Sequence, residues 1–450
     1  MLVINIRIEG SNRGMMINLT WNDTNWKARF FTIWSGQAIS LFGSRLVQFA
    51  LIWWLTAETG SATVLAIASL FGLLPTVLLG PFAGALVDRW KRRQIILIVD
   101  TTIAMATLLL AYLFSIDAVG VGTVYVLLLV RGIGESFHWP SMSAATSLMV
   151  PNDQLTRVQG LNQMLQGGLN IAAAPLGALL LGLLPMQGIM LIDVGTAALA
   201  ILPLLFITIP EVAQHGEKSV SGGAPTFWED FRSGLKYVRS WPGLMMLMLL
   251  AMVINFLLSP AGALMPILVA DYFKGGPLQL GWIEAAFGFG MIAGGLVLGA
   301  WGGFKKRILT SMFGLIGLGV GFSLIGFVPS NLFWLGVIGA FFAASMVSIV
   351  NGPIHAILQS AVEPAMQGRV FTLVGSLASA MAPIGLIVAG PVADAIGVQS
   401  WYVIGGLACI LMAALGYSIP AVMNIEDNHR RAKDQVQEQE EVADSGVLPT

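Results

Sequence analysis

The chain is poor in the residues on which soluble enzymes and metalloproteins depend. Charged residues make up only 10% of its 450 residues, and it has four histidines and a single cysteine, Cys409. One cysteine excludes an intramolecular disulfide framework, and no cysteines cluster to form a metal site. Soluble domains carry about 25% charged residues. The low charge therefore excludes a water-soluble fold for most of the chain.

Sequence motifs of nucleotide-driven or hydrolytic chemistry are also absent. No G-x-x-x-x-G-K-[ST] phosphate-binding loop occurs, and Gly216-Glu-Lys218-Ser219 has only the end of one. ATP is therefore not expected as the direct energy source. No metalloprotease or nucleophile-elbow pattern is present, and the net charge of −1 points to no nucleic-acid partner. We predict a protein that is not an enzyme and holds no cofactor or metal.

Long apolar runs are what the sequence has in abundance, since 56% of it is hydrophobic and its mean hydropathy is +0.80. About 20 apolar residues cross the hydrocarbon core of a bilayer, and only a helix satisfies every backbone group within such a segment. The sequence therefore predicts an all-α membrane protein with twelve transmembrane helices in two sets of six. The predicted spans are 30–57, 62–87, 94–116, 122–145, 157–184, 187–209, 243–271, 277–302, 308–328, 331–356, 367–395 and 398–423.

The distribution of charge orients these spans. If the N-terminus lies in the cytoplasm, the basic loop residues fall on the cytoplasmic side, and Lys274 alone falls opposite, as the positive-inside rule expects. The first 27 residues lack the features of a signal peptide, so the first span is expected to direct its own insertion. The predicted division is a cytoplasmic tail (1–28), a six-helix bundle (29–209), a cytoplasmic linker (210–242), a second six-helix bundle (243–423) and a cytoplasmic tail (424–450). Within the linker, 227–232 is expected to form an amphipathic helix on the membrane surface. The cytoplasmic basic residues are Arg89, Lys91, Arg92, Arg93, Arg157, Lys218, Arg232, Lys236, Arg239, Lys305, Lys306, Arg307, Arg369, Arg430 and Arg431.

The two halves repeat each other. Gly84 and the basic loop after it recur 215 residues later at Gly299, and Pro140 recurs 213 residues later at Pro353. A repeat of this length indicates duplication of a structural unit. Parallel six-helix halves related by an axis along the membrane normal are an arrangement that transporters use.

The loop between the second and third spans has the sequence Gly84-Ala-Leu-Val-Asp88-Arg89-Trp-Lys91-Arg92-Arg93. It resembles the signature loop of the major facilitator superfamily, with Lys91 where the usual form has glycine. The resemblance implies a latch in which Asp88 holds the cytoplasmic end of the second span to the N-terminus of the eleventh, where a carboxylate is favoured by the helix dipole. Asp88 as a solvated charge at a helix end is the alternative. The predicted latch residues are Gly84, Asp88, Arg89, Arg92 and Arg93.

The fourth span places ionisable groups deep in the membrane. Arg131, Glu135 and His138 are spaced to share one helix face, and a charge at that depth costs at least about 2.5–3.5 kcal/mol. Either Arg131 and Glu135 pair with each other to insert, or they line the translocation path and a proton moves through them. Arg131-Gly-Ile-Gly134 resembles the superfamily's fourth-helix motif, whose arginine is implicated in proton coupling. Asp193 and Glu284 are second-rank candidates for the same role.

Other polar residues within the spans are candidates for lining a substrate cavity. In the fifth span, a polar stripe precedes Ala174-Pro175, which resembles a weakened form of the Gly-Pro motif of antiporters. The stripe could equally join neighbouring helices through hydrogen bonds. Asp100 is expected to support the charged loop. The predicted cavity residues are Gln48, Asn162, Gln163, Gln166, Asn170, Asn255, Asn351 and His355.

Further motifs narrow the resemblance to one branch of the superfamily. Phe42-Gly-Ser-Arg45, Thr59-Gly-Ser-Ala-Thr63, Gly80-Pro-Phe-Ala-Gly84 and Trp301-Gly-Gly-Phe-Lys-Lys-Arg307 together resemble the bacterial macrolide-efflux branch, which is also similar to enterobactin-type siderophore exporters. The resemblance implies a monomer in the bacterial plasma membrane that exports amphipathic small molecules by proton antiport. Export of a siderophore or metabolite by the same mechanism is the first alternative. A lipid flippase or membrane sensor is the second, and it would need an apolar cavity.

Overall fold

A computed structural model of the chain describes residues 26–210, 227–362 and 364–426. Within these residues the regular structure is entirely helical. A π-helical turn, Leu268–Tyr272, continues α8, and a last helical turn is Pro420–Met423. The helices are α1 (Trp26–Thr59), α2 (Ala62–Arg89), α3 (Arg92–Ser115), α4 (Val121–Met149), α5 (Leu155–Leu183), α6 (Met186–Phe206), α7 (Phe227–Ser240), α8 (Pro242–Ile267), α9 (Pro277–Trp301), α10 (Arg307–Phe327), α11 (Phe333–Ala361), α12 (Pro364–Ile396) and α13 (Val398–Ser418).

Every helix except α7 matches one of the twelve predicted spans. Eleven of these are long and apolar enough to cross a membrane. The exception is α4, which has 29 residues but carries Arg131, Glu135 and His138 within its length. These three groups lie within eight residues in the middle of α4, so the helix must turn them toward protein or water.

The helices form two bundles of six, α1–α6 and α8–α13. In the first bundle α1 packs on α6, α2 on α4, and α3 on both α4 and α6; in the second, α11 packs on α9 and α10, and α13 on α10. The bundles meet mainly through α5 against α9 and α2 against α12. The predicted fold class, an all-α protein of two six-helix bundles, is confirmed.

Small residues permit the closest helix contacts in the second bundle. A Cβ on Gly290 or Gly294 would collide with the backbone of Phe341 or Ser345, respectively, on α11. Close backbone approach at small residues is a common way for helices to pack in a membrane, where lipid removes most of the hydrophobic drive for association. These two glycines therefore fix the spacing of α9 and α11.

The expected amphipathic helix forms as α7, but protein covers its apolar side. Val238 of α7 is fully buried in a cluster with Leu244 of α8 and Leu373 of α12. Gly234 lies against the Arg369 carbonyl of α12. The linker segment 211–226, and with it the predicted flexible part of the linker, lies outside the described residues.

The two ends of the molecule differ in how the bundles meet. The end of the molecule at which α2 is followed by α3, at Arg89–Arg92, is called the basic end. The end at which α1 is followed by α2, at Thr59–Ala62, is called the opposite end. The bundles touch near the opposite end, where Gly281 of α9 faces Pro175 of α5. Toward the basic end, Gly80 of α2 and Gly375 of α12 face open space. The space between the bundles therefore opens toward the basic end.

Candidate functional site

A cavity of about 790 Å³ occupies this space. It extends from Ile52 and Ala68, in the half nearer the opposite end, to Trp34 and Thr146 near the basic end. Cavities that hold drug-sized molecules measure about 300–1,000 Å³, so this one is large enough for such a ligand. Its walls come mostly from the first bundle, and Ser259, Ala263 and Leu386 are the contribution of the second. Its larger polar side chains are Gln37, Arg45, Gln48, Arg131, Glu135, His138, Gln159, Asn162 and Gln166.

Arg131 is held by an acidic group on another helix. Its Nη1 lies 3.2 Å from Oδ2 of Asp193 on α6, and its Nη2 donates to the Ser44 carbonyl on α1 at 3.1 Å. The Asp193 carboxylate is buried and also accepts from the hydroxyls of Ser44, at 3.1 Å, and Thr107, at 3.5 Å. These bonds join α1, α3, α4 and α6. The interpretation that Arg131 and Glu135 pair with each other is wrong, because Asp193 takes that position.

Glu135 lies one helical turn from Arg131 toward the basic end, and its side chain is exposed in the cavity. No other group in the described parts of the chain forms a hydrogen bond or ion pair with its carboxylate. An ionised group at this depth is costly unless it faces water or a partner. The opening of the cavity supplies access to water. Glu135 is therefore an acidic group whose carboxylate faces the cavity without a partner among the described residues.

His138 lines the cavity and belongs to a second cluster of polar side chains. Its Nε2 lies 3.2 Å from Oδ1 of Asp100 and 3.0 Å from Oε1 of Gln37, and the Gln37 amide donates to Oδ2 of Asp100 at 2.7 Å. Asp100 therefore does not support the charged loop, because both of its oxygens face this cluster. Sequence reasoning missed Gln37, although a glutamine within an otherwise apolar stretch of α1 was a visible signal.

Glu284 lies on α9 at the seam between the two bundles. Glu284 is half-buried on the side of α9 that carries Gly281 and Gly288, and these glycines pack against α5. Arg45 lines the cavity from α1 and forms no ion pair with Glu284 within 4 Å. Glu284 is outside the cavity lining.

Three of the predicted cavity residues line the cavity: Gln48, Asn162 and Gln166. The side-chain oxygen Oδ1 of Asn162 accepts a hydrogen bond from the Trp34 indole at 2.8 Å, so this polar side chain of α5 is oriented by α1. This contact lies within the first bundle. It therefore shows that a polar residue can both line the cavity and join two helices.

The other predicted cavity residues do not line it. The first bundle supplies most of the wall, so the candidates on α8 and α11 are placed elsewhere. The Asn255 amide instead donates to the Ala251 carbonyl of its own helix at 2.9 Å. Sequence spacing indicated which residues share a helix face, but it did not indicate which neighbour that face meets. The residues outside the lining are Gln163, Asn170, Asn255, Asn351 and His355.

The predicted latch is only partly within the described structure. The helix α2 contains Gly84, Asp88 and Arg89, but their side-chain surroundings lie outside the described residues, so the latch at Asp88 stays a prediction. Arg92 opens α3 and is half-buried. Arg93 instead donates to the Leu204 and Leu205 carbonyls at the end of α6, at 2.5 and 2.7 Å. A basic side chain that satisfies the last carbonyls is a helix cap.

Two six-helix bundles around a cavity with charged groups at its centre define a membrane transporter of the major facilitator superfamily. The solved structure of the nucleoside transporter NupG matches this fold with a TM-score of 0.66 at 14% identity, covering 87% of this chain and 98% of that one. A family model described as "Transmembrane secretion effector" matches residues 25–446. The chain belongs to this family and is a transporter, not an enzyme.

Curated relatives lie within the branch that the motifs indicated. Macrolide efflux protein A of Streptococcus pyogenes is 36% identical over 389 residues, covering 86% of this chain and 95% of that protein. Multidrug efflux pump Tap of Mycolicibacterium fortuitum is 28% identical over 399 residues, covering 85% and 94%. The predicted resemblance to the macrolide-efflux branch is confirmed.

Proposed function

We propose that the chain exports amphipathic small molecules, macrolide-type drugs among them, by proton antiport with alternating access. The names of its relatives support the substrate class. The cavity, at about 790 Å³, supports a substrate of drug size. Its mixture of apolar walls and a few charged groups is typical of sites that bury an apolar body and orient it by polar contacts.

Glu135 is the observation that carries the proposal of proton coupling. Arg131 is fixed by Asp193, so its charge stays in place, whereas Glu135 faces the cavity with its carboxylate exposed. When the cavity opens to the side of lower proton concentration, Glu135 gives up its proton and the site accepts substrate. When it opens to the other side, Glu135 takes up a proton and substrate leaves. The energy then comes from the proton gradient, and no cofactor is required.

The orientation of the chain follows from its charges. The basic end carries Arg92 and Arg93, and at the same end α10 begins at Arg307. The positive-inside rule assigns such an end to the cytoplasm. In this orientation both termini are cytoplasmic, and the cavity opens to the cytoplasm of a bacterial cell. That is the state in which an exporter loads its substrate from the cell interior or the inner leaflet.

The polar groups of the cavity argue against the alternative of a lipid flippase. A path for acyl chains would place charged side chains against hydrocarbon, which is costly. Here Arg45, Arg131 and Glu135 all line the cavity. One chain also supplies the whole described cavity, which is consistent with a monomer as the working unit.

The proposal is tested by drug accumulation in bacterial cells with and without the gene. Expression is expected to lower the accumulation of a macrolide such as erythromycin, and a protonophore is expected to abolish the difference while ATP remains present. If ATP depletion stops efflux and the protonophore leaves it unchanged, proton coupling is wrong. If macrolides accumulate equally with and without expression while a siderophore is exported, the substrate class is wrong.

A further inference from the structure

An acidic residue of the second bundle caps a helix of the first. Asp394, near the end of α12, accepts hydrogen bonds from the Ala62 and Thr63 amides at 2.7 and 3.0 Å. It also accepts from the hydroxyls of Ser61, at 3.1 Å, and Thr63, at 2.6 Å. These four bonds engage the first turn of α2, for which Ser61 is the N-cap residue. We call this group of contacts the Asp394 clasp.

Charge and helix geometry both strengthen the clasp. A carboxylate at a helix N-terminus is favoured by the helix dipole, and its hydrogen bonds are stronger than those between neutral groups. Gly390, one turn before Asp394, makes the approach possible, since a Cβ there would lie 2.8 Å from Thr63 Cα and 2.9 Å from Ala66 Cβ. The backbones of α2 and α12 are therefore in near contact beside the clasp.

The same two helices diverge toward the other end of the molecule. Gly80 and Phe82 of α2, and Gly375 of α12, have open or exposed surroundings in the described structure. The clasp thus lies where the two bundles meet, and the cavity opens where they part. For the cavity to open at the opposite end, α2 and α12 must separate there, and the four bonds of Asp394 must break.

We propose that Asp394 is a gating residue of the transport cycle, which holds the opposite end closed and favours the state that is open at the basic end. The sequence resemblance implied a latch between the same pair of helices, but at Asp88 and at the basic end. The Asp394 clasp joins the other ends of α2 and α12. It goes beyond the proposed export function, because it depends on neither the substrate nor the proton.

The distance between the bundles at the opposite end tests this inference. Spin labels on Ser115→Cys in the first bundle and Asn331→Cys in the second report that distance by pulsed electron resonance, since both positions are exposed at this end. The native Cys409 is buried, so it does not compete for label. The purified full chain is measured without substrate and without a proton gradient, so failure of the proposed export function would leave the result standing.

Asp394→Asn is expected to raise the ratio of long to short distances by roughly tenfold, because it removes the charge from four hydrogen bonds. Thr63→Val removes one donor and keeps the side-chain shape, so it should shift the ratio in the same direction by less. Glu58→Gln neutralises another exposed carboxylate at this end and should leave the distances unchanged. Wild-type distances in both Asp394→Asn and Thr63→Val would overturn the proposal. If Asp394→Asn does not fold, Thr63→Val decides alone.

Discussion

The guanidinium of Arg131 lies 3.2 Å from the carboxylate of Asp193, and this contact joins α4 to α6 across the interior of the first bundle. The side chains are 13% and 3% exposed, respectively. Burial of an unpaired charge is far more costly than burial of a pair. The pair therefore explains how α4 can carry an arginine near its centre inside the membrane. Because Arg131 is paired with Asp193, Glu135 remains as an acidic group of α4 that faces the cavity without an ion-pair partner in the described structure.

A double-mutant cycle tests this assignment. Asp193→Asn leaves Arg131 without a charged partner and is expected to cost about 3–5 kcal/mol of native-state stability, seen as a lower thermal-unfolding midpoint of the purified protein. Arg131→Gln leaves Asp193 buried without its cationic partner, which is also expected to destabilise the protein. The double variant has no unpaired charge, so its loss should be smaller than the sum of the two. Asp117→Asn, at an exposed loop position, should have little effect. Strict additivity of the two losses would contradict the pairing.

Two adjacent glycines of α9 give a matched test of the helix packing. A Cβ on Gly294 would collide with the Ser345 backbone, whereas a Cβ on Gly295 would face open space. Gly294→Ala is therefore expected to destabilise the protein by about 1–3 kcal/mol. Gly295→Ala should be neutral or stabilising by up to about 1 kcal/mol, because alanine loses less backbone freedom in a helix. Thermal unfolding of both variants checks the difference, and equal midpoints would show that the contact of α9 with α11 is looser than the structure has it.

Arg93 gives a test that separates a helix cap from a latch. Arg93→Ala removes two hydrogen bonds to the end of α6 and is expected to cost about 1–3 kcal/mol of stability. Its transport rate per folded molecule should stay close to wild type, because the cap does not join the two bundles. The exposed neighbour Gln94 supplies the control variant, Gln94→Ala. Loss of transport with an unchanged unfolding midpoint would contradict the helix-cap role and support the predicted role of Arg93 in the latch.

The fold was predictable because the membrane constrains each span separately. Apolar length and the basic loops are local features, and the structure has a helix at each of the twelve predicted spans. The ionisable groups of α4 were also visible as costly exceptions within an apolar run. The position and length of each span, and the costly ionisable groups within it, therefore follow from the local sequence alone.

The pairing of these groups was not predictable, because it depends on how the helices rotate and pack. Asp193 lies 62 residues from Arg131 in the sequence, while Glu135 lies one helical turn away, so local spacing favoured the wrong partner. Asp100 shows the same limit, since its depth in the membrane was inferred but the side it faces was not. The repeat also does not indicate that one bundle supplies most of the cavity wall, so the polar residues Asn351 and His355 of the second bundle were predicted to line a cavity that they do not reach.

The central claim is that Glu135 carries the exchanged proton, and transport into proteoliposomes at a series of pH values tests it most directly. The wild type is expected to show macrolide transport that depends on the pH gradient, with proton movement coupled to drug movement. Glu135→Gln should bind the drug but lose gradient-driven transport and its pH dependence, while Glu58→Gln, outside the cavity, should behave as wild type. An unchanged pH profile in Glu135→Gln would contradict the account and move the coupling role to Asp193 or Glu284.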